Sequence, residues 1–246
     1  MGKVIAVLSG KGGTGKTTVC AGLATSLAKC SAKVLCIDLD AGLRNLDIAL
    51  GLSWASAPAF SDVAEGKMPL SSSFPHPDFP TLSFLTAPVG KCPEELDPAL
   101  FFQLMEQVRQ EYDYCLLDAP AGVGSGFRMA AQAASLELLV AGPDPGALRD
   151  GVQTGSLLEL MGKTDVRVIV NRVIPAFYRS IHLTVDDLID EIGYRLLGLV
   201  PEDPHVTLSA IREKPLIQNY RRGAAAACYR IAQRILGVPV PLPRLK

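Results

Sequence analysis

A glycine-rich run near the N-terminus holds the residues of this chain that are best suited to chemistry. Residues 10–17 read GKGGTGKT, the GxxxxGK(S/T) pattern whose backbone N–H groups surround phosphate oxygens. Glycine suits such a loop because no Cβ keeps the backbone away from the anion. Lys16 offers a positive charge to the β- and γ-phosphates, and the Thr17 hydroxyl is a ligand for Mg²⁺. The residues predicted to contact the phosphates are Gly10, Lys11, Gly12, Gly13, Thr14, Gly15, Lys16, Thr17 and Thr18.

Acidic residues after two further apolar runs could complete this chemistry. Asp38 and Asp40 follow one run, and Asp118 follows another, Tyr114 to Leu117. Carboxylates beside a phosphate-bound Mg²⁺ can accept from its water ligands, and one of them can orient an attacking water. We therefore predict that Thr17 and Asp118 belong to the metal shell and that, of Asp38 and Asp40, one accepts from a metal-bound water and the other orients the attacking water.

The elements around the loop agree with this interpretation. Val4 to Leu8 is a short apolar run of the kind found in buried strands, and Thr18 to Lys29 has apolar residues at helical spacing. The helix directs its positive N-terminal end at the phosphates. A strand, a glycine loop and a helix in this order are the context that the motif requires.

Apolar runs recur along the rest of the chain and predict the fold class. Most are continuous rather than alternating, as in strands that are buried on both faces, and helical patterns separate many of them. We predict an α/β fold with a doubly wound, mostly parallel sheet and helices on both faces. The strands are expected at 4–8, 33–37, 81–85, 114–117, 136–141, 166–170 and 195–200, and helices at 98–110, 151–161 and 224–236. Residues 69–80 are expected to form a surface loop, and residues 1–246 a single domain ending in a proline-rich tail at 237–246.

Composition limits the classes of protein to which the chain can belong. A net charge of −1 argues against a globally basic nucleic-acid binder. No apolar stretch reaches the roughly 18–20 residues that span a bilayer, and no signal peptide precedes the first strand. The cysteines lack metal-binding spacing and are predicted to be reduced packing thiols in a cytoplasmic protein. They are Cys20, Cys30, Cys36, Cys92, Cys115 and Cys228.

Taken together, these motifs resemble the ParA/MinD superfamily of deviant Walker A ATPases, which have the P-loop NTPase fold of SIMIBI type. The run at 42–47, GLRNLD, is most similar to the branch that positions bacterial division sites, and the likeness continues to about residue 236. The resemblance implies an ATP-driven dimerisation switch with slow Mg²⁺-dependent hydrolysis, and a division-inhibitor or activator protein as partner. By the same resemblance, the catalytic residues would be Lys11, Lys16 and Asp40, of which Lys11 would reach the phosphates of a second copy and Asp40 would position water. Thr17, Asp38 and Asp118 would hold the metal. The adenine pocket would contain Asn171, Arg172, Pro201, Glu202 and Asp203.

The chain departs from that branch in two places. Where relatives have an acidic residue after the Pro-Ala-Gly of the third motif, it has Val123 and Gly124. Relatives end in a basic amphipathic helix that binds membrane, whereas three alternating prolines in the tail here prevent such a helix. Seven basic residues and no acidic residue follow Glu213, so weak attraction to anionic lipid or nucleic acid stays open. The inner face of the membrane is therefore an alternative location.

Other functions within and beyond the superfamily remain to be weighed. A ParA-type partition or flagellar-placement ATPase would bind DNA in an ATP- and salt-dependent way. An iron–sulfur ATPase would need suitably spaced cysteines, and none lies between Asp118 and Cys228. A tyrosine autokinase would need a tyrosine-rich tail, and a binding module without hydrolysis would not need Lys16 and Asp40 intact. The motifs favour the ATPase switch.

Overall fold

The fold is described from a computed structural model that covers residues 1–89, 96–180, 187, 190, 192–219 and 221–243. Its strands are β1 Lys3–Leu8, β2 Val34–Asp38, β3 Phe74–Pro75, β4 Leu82–Leu85, β5 Tyr114–Asp118, β6 Leu136–Ala141, β7 Val166–Val173 and β8 Arg195–Pro201. Its helices are α1 Lys16–Lys29, α2 Leu46–Leu50, α3 Phe60–Ala64, α4 Pro98–Glu111, α5 Ser125–Ala133, α6 Pro145–Leu160, α7 Pro175–Ser180, α8 Pro204–Ile211, α9 Leu216–Asn219 and α10 Gly223–Ile235, with a short 3-10 helix at Leu70–Ser72.

Within the described residues, the strands form one sheet in the order β3-β4-β2-β5-β1-β6-β7-β8. All neighbours pair in parallel except β3 and β4, which are antiparallel. Strand β1 lies between β5 and β6, and the strands that end in Asp38 and Asp118 are direct neighbours. The predicted acidic residues and the glycine loop therefore meet at one edge of the sheet, beyond the carboxyl ends of the strands.

Helices cover both faces of the sheet, which confirms the predicted doubly wound fold. Side chains alternate along β1, so that Val4 packs into a core on one face with Phe101 and Phe127 of α4 and α5. Ile5 packs into a second core on the other face with residues such as Leu23 of α1, and α10 closes this core. Burial on both faces explains why the strands read as continuous apolar runs.

Two differences between the predicted element bounds and the structure are larger than the others. Residues 69–80 were expected to form a surface loop, but Phe74–Pro75 pairs with β4, and Leu70 and His76 are buried. The strand is too short to show periodicity, and Pro75 is tolerated because β3 is an edge strand. Helix α6 begins at Pro145 rather than Gly151, since Asp144 accepts from the N–H of Ala147 and Pro145 occupies the first turn.

Several other predictions can be compared with the described residues. Cys20, Cys36, Cys115 and Cys228 are buried free thiols and Cys30 is half-buried, as predicted, whereas Cys92 lies outside the described residues. Residues 237–243 contain no helix, and residues 244–246 lie outside the described part of the chain. Among the described helices, none combines the length and apolarity needed to cross a membrane.

Candidate nucleotide site

The glycine loop leaves β1 at its carboxyl end and leads directly into α1. Gly13 and Gly15 have φ angles of +81° and +82°, a conformation that side chains with a Cβ rarely adopt. A Cβ on Gly15 would lie 2.2 Å from Nδ2 of Asn171, so glycine is also required by the close packing there. Asn171 donates from this Nδ2 to the carbonyl of Thr14 at 2.8 Å and thereby connects the loop to β7.

Lys16 and Asp118 form a buried ion pair beneath the loop. Nζ of Lys16 lies 2.8 Å from Oδ1 of Asp118, and the two side chains are 7% and 1% exposed. Burial raises the pKa of Asp118, and the charge of Lys16 and hydrogen bonds from Lys16 and Thr17 lower it in part. The pair therefore places a cation and the Thr17 hydroxyl together at the start of α1, where a phosphate is predicted to bind.

Asp38 lies beside Asp118 on the neighbouring strand, in register with it. Its carboxylate accepts from the backbone N–H of Asp40 at 2.8 Å and of Leu46 at 3.3 Å. Burial, and next the charge of Asp118, raise the pKa of Asp38 to about 7. Each of two neighbouring buried carboxylates disfavours the ionised form of the other, and a cation bound between them would stabilise both ionised forms.

Asp40 lies at the surface of the site and organises the loop that follows β2. Its Oδ1 accepts from the N–H groups of Gly42 at 3.1 Å and Leu43 at 3.2 Å, and its carbonyl accepts from the N–H of Arg44. Among the described residues, no hydrogen bond reaches the second oxygen of the carboxylate, which could accept from a water at the mouth of the site. The predicted role of Asp40 in orienting water is compatible with this position and stays a prediction.

The residues present fit a magnesium nucleotide. The Oγ1 atom of Thr14 is buried in the loop without a hydrogen-bond partner, which a phosphate oxygen could supply. Within the described residues, no three His, Cys, Asp or Glu side chains cluster as a complete metal site. Thr17, Asp38 and Asp118 would therefore share Mg²⁺ with phosphate oxygens and waters, as Mg²⁺ usually requires.

Lys11 projects from the exposed side of the loop, away from Lys16. Its Nζ lies 3.1 Å from Oδ2 of Asp150 in α6, and both side chains are about half exposed, at 48% and 43%. It borders a cleft of about 470 Å³ that also contains Gly12, Asp144 and Arg172. Lys11 is therefore separate from the buried pair and accessible to another molecule.

The residues expected around adenine do come together in one cleft of about 230 Å³ beside the loop. This cleft is lined by Gly13, Gly15, Thr18, Asn171, Arg172, Pro201, Glu202 and Asp203, together with Val206 and Leu216. Arg172 pairs with Glu202 at 2.7 Å, and Asp203 accepts from the N–H groups of His205 and Ala224. The amide of Asn171 is already bound to Thr14, so recognition of a base edge by Asn171 stays a prediction.

Sequence reasoning missed several residues that support the site. Asp150 pairs with Lys11, and Thr154 lies so close to Gly10 that a Cβ there would meet its Oγ1 at 2.4 Å. Asp150 lies in the part of α6 that precedes the predicted helix, whereas Thr154 lies within the predicted range 151–161. The Asp-Pro pair at 144–145, a helix N-terminus signal, could have shown that this helix begins earlier.

Comparison with known proteins agrees with this geometry. The family model described as the CobQ/CobB/MinD/ParA nucleotide binding domain matches residues 5–216. The septum site-determining protein MinD of Synechocystis sp. is 32% identical over 244 residues, which are 98% of this chain and 92% of the relative.

Two solved structures are also similar. MinD in the MinC:MinD cell division protein complex of Aquifex aeolicus has a TM-score of 0.90 and 35% identity, with 98% of each chain covered. MinD of Pyrococcus horikoshii complexed with Mg-ADP has a TM-score of 0.82 and 28% identity, with 96% of each chain covered. The chain therefore belongs to the MinD/ParA family of nucleotide-binding proteins, and it matches the MinD members along nearly its whole length.

Proposed function

We propose that this protein is an ATP-driven dimerisation switch that acts in the selection of the bacterial division site. The observation that carries this proposal is the glycine loop with Lys16, Thr17, Asp38 and Asp118 beneath it, at the carboxyl edge of a parallel sheet. The relatives named as septum site-determining proteins support the division role. They favour it over plasmid partition, because the ParA-family structure from Chlorobium tepidum is only 19% identical and shares the fold alone.

Different residues of the site have different roles in nucleotide binding and in hydrolysis. The N–H groups of the loop and the start of α1 bind the phosphates, and Lys16 neutralises charge at the β- and γ-positions. Magnesium, when bound with the nucleotide, supplies charge stabilisation at the phosphate that is transferred. Asp38 and Asp118 hold the cation, and Asp40 orients the water at the open side of the site. Because Asp40 is half-buried at the mouth of the site and only orients the water, we expect slow hydrolysis.

Lys11 makes the site dependent on a second copy of the chain. Two such loops facing each other would bring like-charged phosphates close together, and a lysine from each side offsets this repulsion. The half-exposed position of Lys11, outside its own Lys16–Asp118 pair, supports this role. Dimerisation would then require the γ-phosphate, and hydrolysis would release the dimer.

The partner and the location follow from the relatives and remain proposals. The MinC:MinD complex of Aquifex aeolicus supports a division inhibitor as the partner of this protein. A cytoplasmic protein with weak peripheral membrane contact fits the basic C-terminal region and the proline-rich tail.

The proposal is tested by light scattering of the purified full chain with Mg²⁺ and either ATP or ADP, combined with a phosphate-release assay. We expect a dimer with ATP, a monomer with ADP, and slow phosphate release. Lys16→Ala should lose nucleotide affinity itself, and Arg195→Ala, at the far end of β8, is the matched control. A wild-type chain that binds no ATP, or dimerises equally with ADP, would contradict the proposed switch.

A further inference from the structure

A second concave surface lies beside the predicted base pocket, between α10 and the edge strand β8. This cleft, which we call the α10–β8 cleft, has a volume of about 300 Å³. Its floor is apolar and is formed by Val173, Leu199, Pro201, Ala226 and Ala227. Pro243 of the tail closes one end, and Arg234 holds the tail there by donating to the carbonyls of Val240 and Pro241. The cleft is therefore a built feature of the fold.

Four arginines surround this apolar floor, namely Arg221, Arg222, Arg230 and Arg234. None of the residues that line the cleft is acidic, and no acidic residue follows Glu213 in the sequence. Among the described residues, Arg221, Arg222 and Arg230 have no ion-pair partner. Burial, and next the charge of Arg230, lower the pKa of Arg234. The charge of this rim is thus not compensated within the described part of the protein.

The carboxylates nearest in sequence to the cleft are already engaged. Glu202 pairs with Arg172 at 2.7 Å. Asp203 accepts from the N–H of Ala224 at 2.9 Å and pairs with His205. No carboxylate among the described residues is thus paired with Arg221, Arg222 or Arg230, and guanidinium groups are well suited to bind the carboxylates of another molecule in pairs.

We propose that the α10–β8 cleft binds an acidic peptide segment of a partner protein, with an aliphatic side chain on the apolar floor and flanking carboxylates on the arginine rim. A peptide supplies both components within a few residues. A flat bilayer would need apolar side chains that protrude, whereas here they form the floor of a concavity. Single-stranded nucleic acid is usually held by aromatic stacking, and none of the described residues that line the cleft is aromatic.

The cleft is connected to the predicted base pocket, which suggests what a bound peptide would do. Pro201 lines both clefts. Asp203, in the base pocket, caps the first turn of α10 through the N–H of Ala224, and a Cβ on Gly223 would lie 2.0 Å from its carboxylate. A peptide that orders the start of α10 would therefore change the rate at which nucleotide leaves. This coupling rests on the proposed function, whereas peptide binding itself does not.

The test is fluorescence anisotropy of the full chain with a labelled glutamate heptapeptide that has a central leucine. We expect Arg221→Glu/Arg230→Glu to weaken binding about tenfold, because each lost charge pair contributes about 1 kcal/mol or less. Ala226→Leu should also weaken binding by filling the floor. The control Lys3→Glu/Arg195→Glu makes the same charge change on two exposed residues that do not line the cleft. They are the first residues of β1 and β8, and this variant should bind the peptide like the wild type.

Three results would overturn the proposal. The wild type could fail to bind the peptide, or both double variants could weaken binding equally, which would indicate nonspecific attraction. Phosphatidylglycerol vesicles or a DNA oligonucleotide could also bind in preference to the peptide and lose binding in the same variant. The peptide titrations are done without nucleotide, so their result does not depend on the proposed function. ATP binding is measured in separate samples, and its absence would contradict the proposed function and not the peptide site.

Discussion

The Nζ atom of Lys11 lies 3.1 Å from Oδ2 of Asp150 within one chain, so the lysine that we assign to a partner's phosphates is paired in its own subunit. In the proposed dimer, this pair would have to break before Lys11 could reach the partner's phosphates. Because both side chains are about half exposed, the pair contributes only a small free energy. We therefore expect Asp150 to tune the concentration at which the proposed dimer forms and not to prevent it.

We expect Asp150→Asn to dimerise more readily with ATP than the wild type does. A surface ion pair is worth less than about 1 kcal/mol, and each dimer breaks two, so the dimer should tighten about two- to tenfold. Light scattering over a range of protein concentrations measures this. Asp62→Asn removes a similarly exposed partner, that of Lys67, and should have no effect. An unchanged dimer constant in Asp150→Asn would show that the pair does not restrain Lys11.

Lys11→Ala should separate dimerisation from nucleotide binding. We expect the variant to bind ATP with an affinity within a few-fold of the wild type, because Lys16 and the loop backbone remain. The ATP-induced dimer should be lost, since the repulsion between two sets of phosphates is no longer offset. Light scattering and a nucleotide titration of the same sample measure the two effects. A full ATP-induced dimer in Lys11→Ala would exclude the role of this residue across the interface.

How far these relationships could be predicted from the sequence depended on their distance along the chain. The loop, β1 and α1 are contiguous, and local pattern predicted them correctly. Asp38 and Asp118 could be placed together because both end buried strands of a parallel sheet. The pairing of Lys11 with Asp150 could not be predicted, since it depends on how α6 packs against the loop and no local pattern encodes that packing. The strand β3 was missed because two residues show no periodicity.

The buried Lys16–Asp118 pair should show strong coupling in a double-mutant cycle. Lys16→Met leaves Asp118 buried without its cation, and Asp118→Leu leaves Lys16 unpaired, so each change should cost about 3–5 kcal/mol of unfolding free energy. The double variant should cost much less than the sum, because an apolar pair of similar size needs no charge compensation. Urea unfolding without nucleotide measures all four proteins. Additive costs would show that the pair is not coupled in the folded protein.

Stability should depend on pH through Asp38, whose pKa is raised from 3.8 to about 7 in the folded state. The folded chain then binds more protons than the unfolded chain between about pH 4 and 7. The free energy of unfolding therefore falls as pH rises through this window, and the penalty is complete above it. Asp38→Asn removes the penalty, which is at most about 4 kcal/mol. The amide in Asp38→Asn keeps only one of the two oxygens that accept from backbone N–H groups, and the lost hydrogen bond offsets part of this gain. We therefore expect the free energy of unfolding to rise by about 1–3 kcal/mol at pH 8.

The measurement is urea unfolding at pH 5 and pH 8 in EDTA without nucleotide, so that only protons compete for the carboxylates. The charged neighbours Asp118, Asp40 and Lys16 are present in both proteins, and Asp118 should ionise more easily in the variant, which adds to the same trend. Asp113→Asn is a control in which an acidic residue outside this cluster is changed. A variant whose advantage does not grow with pH would contradict the raised pKa of Asp38.

Gly13 and Gly15 offer a matched pair that separates backbone strain from steric contact in the loop. Their φ angles are +81° and +82°, but a Cβ on Gly13 meets no atom within 4 Å, whereas one on Gly15 lies 2.2 Å from Nδ2 of Asn171. Gly13→Ala should therefore lose about 1 kcal/mol from strain alone. Gly15→Ala should lose about 1–3 kcal/mol more, because Asn171 must move and its hydrogen bond to Thr14 is broken.

The double variant Gly15→Ala/Asn171→Ala tests this explanation, because removing the amide leaves only the backbone strain and the cost of Asn171→Ala itself. Its cost beyond that of Asn171→Ala should approach the cost of Gly13→Ala in urea unfolding. Nucleotide affinity should fall in Gly15→Ala more than in Gly13→Ala, since Gly15 precedes Lys16 and sets the start of α1. Equal losses of unfolding free energy in Gly13→Ala and Gly15→Ala would contradict the explanation. They would show that the loop moves away from Asn171 at little cost.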